Sequence, residues 1–233
     1  MTTLSITSDE TTAADIVSWS HTLVLLGLCA IAGAIVSAVL LTRILPALQF
    51  SLQSTEPIAF WLLSRASGGV AFGLLWLSLA SGLLITSKMA RAWPGDPSAF
   101  DLHQFSSLLG LAFSLFHALI ILGDKFIGCS LPQILIPFAS LGYAPFRFGL
   151  GQVSLYLMAI VSLSYYVRGV IGRKNWRRLH YLSFGMYALV LLHGIMAGTD
   201  TALGWVQDGY WFSGASLLFL TLFRILSATF KNR

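Results

Sequence analysis

Long apolar runs constrain this chain more than any other feature. Runs of about 18 residues or more, the length that a membrane helix requires, recur from near the N-terminus to near the C-terminus. Only 10% of the 233 residues are charged, against about 25% in a typical soluble domain. Because backbone groups in lipid must bond within their own segment, such runs cross a bilayer as helices. The sequence therefore predicts an all-α polytopic membrane protein, with the lipid bilayer as its surroundings.

Six spans are predicted, and segments rich in proline and glycine separate them. Their expected bounds are 20–42, 58–87, 101–123, 149–171, 179–198 and 207–228. The apolar segment 128–147 contains three prolines and is interpreted as an interfacial loop rather than a seventh span. The expected organisation is an N-terminal tail over 1–19, a six-helix membrane domain over 20–228, and a C-terminal tail over 229–233.

The basic residues predict the orientation of this bundle. With six spans, both termini and the loops at 88–100 and 168–178 share one side, and ten of the fourteen Lys and Arg residues fall there. The positive-inside rule places that side, and both termini, in the cytoplasm. The expected location is the cell (plasma) membrane. Because topology explains the net charge of +5, no nucleic-acid partner is expected.

Four of the five histidines form two pairs inside apolar runs. His103 and His117 are fourteen residues apart on the predicted third span, and His180 and His193 are thirteen apart on the fifth. At about 1.5 Å per residue, the members of each pair lie about 20 Å apart along the membrane normal. One ion therefore cannot bind all four, and depth predicts two sites, each with one histidine from each helix.

Haem fits two imidazoles per site better than zinc does, because the porphyrin supplies the other four ligands, whereas zinc requires three or four from the protein. The alternative is that these histidines are buried and bonded to helix carbonyls or to each other. The thirteen-residue spacing raises a difficulty, because it leaves His180 and His193 about 140° apart on an ideal helix. A distortion near Gly185, or haems at different azimuths, would resolve it.

The chain resembles the ferric reductase-like transmembrane domain superfamily, which includes ferric-chelate reductases, NADPH oxidases and the haem membrane subunit of the bacterial methionine sulfoxide reductase system. The likeness rests on the His-x13-His and His-x12-His spacings and on three segments. These are SRASGGVAFGLLWLSLASGLL, DLHQFSSLLGLAFSLFHALI and WRRLHYLSFGMYALVLLHGIMAGTDT. Single-domain bacterial members are the most similar.

The resemblance implies a six-transmembrane-helix bundle binding two b-type haems, which passes electrons from a cytoplasmic donor to an acceptor on the outer side. His103 with His180 would hold an inner haem, and His117 with His193 an outer one. Arg65 matches a family arginine near the outer haem, where it would bind propionates; the alternative is a side chain that extends to the interface. Position 121, which is histidine in oxidase members, is isoleucine here, so dioxygen is not the expected dedicated acceptor.

No flavin or NAD site is expected in this chain, because no GxGxxG occurs in a strand–helix context and no fused domain follows the sixth span. The expected donor is a separate cytoplasmic flavoprotein or a quinol, and the chain would be the membrane electron-transfer subunit of an oxidoreductase. Two other functions stay open. One is a haem-bearing structural or electron-transfer subunit, with other membrane subunits, of a larger respiratory or photosynthetic complex. The other is a transporter without haem that uses the histidines as proton relays.

Overall fold

The computed structural model describes residues 58–91, 95–139 and 144–231, and four separate helical positions at 24, 28, 31 and 35. The predicted N-terminal tail, the rest of the predicted first span, and residues 232 and 233 of the predicted C-terminal tail lie outside the described residues. Residues 54–233 form one compact unit. Its described part consists of helices joined by turns and short irregular segments, with no strand in these ranges.

Eight α-helices follow one another in the described part of this unit. They are α1 (Ile58–Thr86), α2 (Asp96–Ile120), α3 (Leu131–Leu135), α4 (Pro145–Ser164), α5 (Arg168–Ile171), α6 (Arg173–His180), α7 (Leu182–Ala197) and α8 (Gly204–Lys231). Five segments are long and apolar enough to cross a membrane: Ala59–Thr86, Pro97–Gly123, Pro145–Ser164, Arg173–Ala197 and Gly204–Phe230. The all-helical class and the multi-pass character agree with the sequence, whereas the predicted first span, 20–42, stays a prediction.

Two predicted bounds are wrong around the fourth span. The helix begins at Pro145 rather than at 149, because proline has a fixed backbone angle that suits the first turn of a helix. It ends at Ser164 rather than continuing to 171, and a separate short helix, α5, follows. Between α2 and α4, the segment predicted as an interfacial loop contains the five-residue α3, and its described residues before α4 hold no candidate span.

The fifth span differs from the prediction in its start and in its continuity. The basic sequence RKNWRR, expected in a loop, forms most of α6, after Gly172 turns the chain with a φ of +81°. Basic side chains in the last turn of α6 also interact favourably with the helix dipole. A break at Tyr181 separates α6 from α7, and the Phe184 amide donates to the Tyr181 carbonyl at 3.3 Å in a tightened turn. This tightened turn lies four residues before Gly185, near which a distortion was one of the two explanations offered for the spacing of His180 and His193.

Helix packing places α1 against α2, and α4 against α7, with α8 also on α1. A buried core joins these helices at mid-depth, and its members include Leu75, Met158, Met186 and Leu217. Large apolar side chains on α8 are exposed, such as Trp211 at 78%. An exposed apolar surface on a helix of this length is the kind of surface that lipid covers.

Candidate functional site

The structure brings the four predicted histidines together as two pairs. His103 on α2 faces His180 at the end of α6, with ring centroids 6.0 Å apart and ring planes at 74°. His117 on α2 faces His193 on α7, with centroids 6.3 Å apart and planes at 75°. These are the partners that the sequence predicts from the depth of each histidine in the membrane. Their role as haem ligands stays a prediction.

The ring separation has room for an ion between the two imidazoles of each pair, and it also equals that of an ordinary edge-to-face ring contact. Two imidazole nitrogens at about 2.0–2.1 Å on opposite sides of one metal ion place the ring centroids about 6.3 Å apart. A direct N–H···N hydrogen bond of about 2.9 Å would bring the centroids to about 5 Å. Among the described contacts, no hydrogen bond joins the rings of either pair. The alternative that the histidines are bonded to each other therefore finds no support in this geometry. Its other form, bonds to helix carbonyls, exists for three of the four histidines.

The two histidines of α2 are held by α1 in the same way. Nδ1 of His117 lies 2.7 Å from the Ser64 carbonyl oxygen, and Nδ1 of His103 lies 2.7 Å from the Ser78 carbonyl oxygen. Each serine hydroxyl is 3.2 Å from the same Nδ1. Because a carbonyl oxygen only accepts, each Nδ1 carries the proton, and each Nε2 keeps a free lone pair. Metal-binding histidines commonly have this arrangement.

A repeat in the sequence, which is not among the features that predicted the site, explains this likeness. The pattern S-x-A-S-G occurs at 64–68 and again at 78–82, fourteen residues apart, which is also the spacing of His103 and His117. Because α1 packs against α2, equal spacings on the two helices produce two equal contacts. A search for repeats that share the histidine spacing would have found the pattern.

The glycines of the repeat make room for the imidazole rings. A Cβ built on Gly68 would lie 3.0 Å from the His117 ring, and one built on Gly82 would lie 3.2 Å from the His103 ring. Both distances are shorter than ordinary van der Waals contacts, so a side chain at either position would push the ring aside. The glycines therefore set how closely the rings approach α1.

The second histidine of each pair is held differently. Nδ1 of His193 lies 2.7 Å from the Arg147 carbonyl oxygen in the first turn of α4, and its ring lies against Gly151, whose built Cβ would be 2.7 Å away. Nδ1 of His180 is buried and has no hydrogen-bond partner among the described residues. Its ring instead stacks on Trp176, at 5.3 Å and 29°.

Arg65 has a protein anion as its partner. Its Nε donates to Oδ2 of Asp200 at 2.9 Å, and its Nη2 donates to the other carboxylate oxygen. Its guanidinium also lies 4.1 Å from the centroid of the Trp61 ring. The bidentate pair joins α1 to the loop between α7 and α8 and neutralises both charges. Binding of a haem propionate by Arg65 stays a prediction.

Basic side chains lie near the His103/His180 pair. Two shallow depressions open there, and Arg173 and Arg177 line both. Arg168 also lines one of them, and its guanidinium lies 3.7 Å from the centroid of the Tyr165 ring. Tyr165 contacts Trp176, with ring centroids 6.2 Å apart, so aromatic rings connect this basic surface to His180.

Each histidine pair offers two protein ligands, because within the described residues no group of three or more His, Cys, Asp or Glu side chains is placed to bind a metal. Two axial imidazoles are what a porphyrin-bound iron requires. No protein-family model, curated protein or solved structure matches this chain. The resemblance to the ferric reductase-like domain thus stays a prediction that rests on the residues quoted above.

Proposed function

We propose that this protein is a di-haem b membrane cytochrome, which carries electrons across the membrane from a cytoplasmic flavoprotein or quinol to an acceptor on the outer side. In this role it is the electron-transfer subunit of a membrane oxidoreductase. One observation supports the proposal above all others. Two imidazole pairs lie at different levels of α2, with ring centroids 6.0 Å and 6.3 Å apart, which leaves room for one ion between the rings of each pair.

The side chains fit haem in three respects. Three of the four histidines direct Nδ1 to a carbonyl oxygen, so their Nε2 lone pairs are free for iron. Glycines at 68, 82 and 151 let three of the rings pack closely against α1 and α4. No further protein ligand competes for either pair in the described ranges. When bound, haem would supply a one-electron iron couple, with its four porphyrin nitrogens completing the coordination.

The chain's own residues would position and insulate the two sites. His103 and His117 stand about 21 Å apart along α2 at about 1.5 Å per residue, so the sites divide the membrane thickness between them. The apolar core at Leu75, Met158 and Met186 lies between the two levels and excludes water from this region. Moving one electron outward through the full membrane potential is worth about 2.3 kcal/mol per 100 mV, so transfer direction depends on that potential.

The basic surface of α6 is the proposed contact for the electron donor. Arg173, Lys174, Arg177 and Arg178 are exposed there, one aromatic contact away from His180 through Trp176. A surface of one sign of charge steers an acidic partner toward it. The donor would therefore approach the His103/His180 pair before the other one.

The deciding experiment is a visible spectrum of the purified full chain, oxidised and then reduced with dithionite. We expect low-spin b-type bands and two haems per chain, both extractable with acid acetone because the sequence has no CxxCH attachment motif. A chain that purifies folded and colourless from a haem-supplemented host would refute the proposal and favour histidines that relay protons.

A further inference from the structure

The two histidine pairs differ in one hydrogen bond. His103, His117 and His193 each place Nδ1 2.7 Å from a carbonyl oxygen. Nδ1 of His180 is equally hidden from solvent but lacks an acceptor in the described part of the chain. The indole nitrogen of Trp176, on which His180 stacks, also lacks one there. The ring of His180 is thus oriented by stacking rather than by a hydrogen bond.

This difference changes the electron-donating strength of the ligands. A carbonyl that accepts the Nδ1 proton makes the imidazole a more basic ligand, and a more basic ligand stabilises ferric iron over ferrous iron. The His117/His193 pair has two such bonds, whereas the His103/His180 pair has one. By this effect alone, iron held by the His103/His180 pair would have the higher midpoint potential.

Fixed charges act in the same direction. Arg168 is half-buried, and its guanidinium lies over the Tyr165 ring. Tyr165 contacts Trp176, and Trp176 stacks on His180. A cation in a low-dielectric environment favours the ferrous form, which carries less positive charge. At the other level, Asp200 neutralises Arg65. The side chain of Arg147 is exposed there, so solvent screens its charge.

We infer that the two sites are electronically unequal, and that the His103/His180 pair holds the haem with the higher midpoint potential. The inference rests on the proposed function. The site near the basic surface would accept an electron readily. The next transfer, to the His117/His193 site of lower midpoint potential, would by itself be unfavourable in free energy. An inside-negative membrane potential favours outward electron movement and would offset that cost.

A redox titration of the purified full chain, followed in the visible band with mediators, tests the inference. We expect two one-electron waves. His193→Ala should leave only the wave of higher potential, and His103→Ala only the wave of lower potential. The opposite assignment, or two haems that titrate as a single wave, would overturn the inference while leaving the proposed function intact. A chain that binds no haem would instead overturn the proposed function.

Variants that keep all four histidines provide a second test if the histidine variants do not assemble. Arg168→Gln should lower the upper wave by about threefold to tenfold in the reduction equilibrium constant, a tenfold change being about 59 mV for one electron, and should not move the lower wave. Lys125→Gln is the matched control and should move neither wave. Lys125 lies in the loop after α2, beyond His117 and far from the His103 level at which His180 lies. A shift confined to the lower wave in Arg168→Gln would contradict the inference.

Discussion

The His103/His180 and His117/His193 pairs are alike on one side and different on the other. On the α1 side, the same serine and glycine contacts occur twice, with nearly equal distances. On the opposite side, His193 lies against Gly151, but the residue fourteen positions later is Tyr165, beyond the end of α4. The first ligands are set by a repeat, whereas the second ligands are set by two unrelated environments.

In this two-site bundle, the regular part is the contact between α1 and α2. Two antiparallel helices keep a constant relation along their length, so a fourteen-residue repeat on α1 serves both histidines of α2. No such relation connects α4 with α6 and α7, because a break at Tyr181 separates the helix that carries His180 from the helix that carries His193. Each of those histidines is therefore positioned by its own neighbours.

Alanine substitution of single histidines gives the largest expected effect. His117→Ala or His193→Ala should remove one of the two haems and spare the other, and His103→Ala or His180→Ala should do the converse, because each pair is separate. Haem content per chain and the reduced spectrum measure this. His21→Ala, which the sequence leaves unpaired, is the control and should keep both haems. Loss of both haems from every variant would mean that the pairs are not independent.

Labelling of Cys129 tests which pair faces outward. Cys129 follows the His117 end of α2, so in a Cys29→Ser background a membrane-impermeant maleimide should label it from the side opposite the basic α6 surface. Right-side-out vesicles should react and inside-out vesicles should not. The reverse result would invert the orientation and the proposed direction of electron flow.

The same labelling has an expected pH dependence. Partial burial raises the pKa of the Cys129 thiol, and the Asp124 carboxylate raises this pKa further. Because the thiolate is the reactive form, labelling should be slow near neutral pH and should accelerate as pH rises toward the raised pKa. Asp124→Asn removes the charge and should accelerate labelling at a fixed pH. An unchanged rate would show that the carboxylate does not affect this thiol.

Alanine at the contact glycines gives the next largest effect. The built Cβ distances rank Gly151→Ala as the most disruptive, then Gly68→Ala, then Gly82→Ala, and overpacking typically costs about 1–3 kcal/mol. The first two should loosen the His117/His193 site, and the third should loosen the other site. Haem retention during heating in detergent measures both.

Other helical glycines provide matched controls. Gly69 and Gly73 on α1, and Gly185 on α7, have open space where a Cβ would stand. Alanine there should be neutral or stabilising, since helical glycine costs roughly 0.5–1 kcal/mol relative to alanine. Haem loss equal to that of Gly68→Ala in these controls would remove the argument from ring contact.

The histidine pairing was predictable, because helix rise and span direction fix depth without knowledge of side-chain contacts. The positions of the five described candidate spans were also predictable, since apolar length determines them. The helical form of RKNWRR was not, because its polarity resembles that of a loop.

The partners of the polar side chains were the least predictable part of the site. Arg65 and Asp200 are 135 residues apart, and nothing in their local sequence connects them. The Arg147 carbonyl that binds His193 is a backbone group, so its residue type carries no signal. By contrast, the Ser64 and Ser78 contacts had a signal in the repeated S-x-A-S-G pattern, because the repeat and the histidines share one spacing.

Serine substitution in that repeat gives the smallest expected effect and the sharpest comparison. The carbonyl oxygen at 2.7 Å is the main acceptor for each Nδ1, and the hydroxyl at 3.2 Å is secondary. Alanine keeps the carbonyl and removes only the hydroxyl, so the loss should be about 0.5–1.5 kcal/mol. Ser64→Ala should weaken haem retention at the His117/His193 pair alone, and Ser78→Ala at the His103/His180 pair alone.

The two serine variants should differ in size as well as in site. In the His117/His193 pair, the Arg147 carbonyl still orients the second imidazole after Ser64→Ala. In the His103/His180 pair, His180 has no such bond in the described residues, so Ser78→Ala removes part of the only hydrogen-bonded orientation at that level. We therefore expect faster haem loss from Ser78→Ala than from Ser64→Ala when each site is followed by its own redox wave. Ser154→Ala, whose hydroxyl bonds the Leu150 carbonyl, should match the unmodified chain. Equal rates of loss for Ser64→Ala and Ser78→Ala would mean that stacking on Trp176 orients His180 as firmly as a carbonyl orients His193.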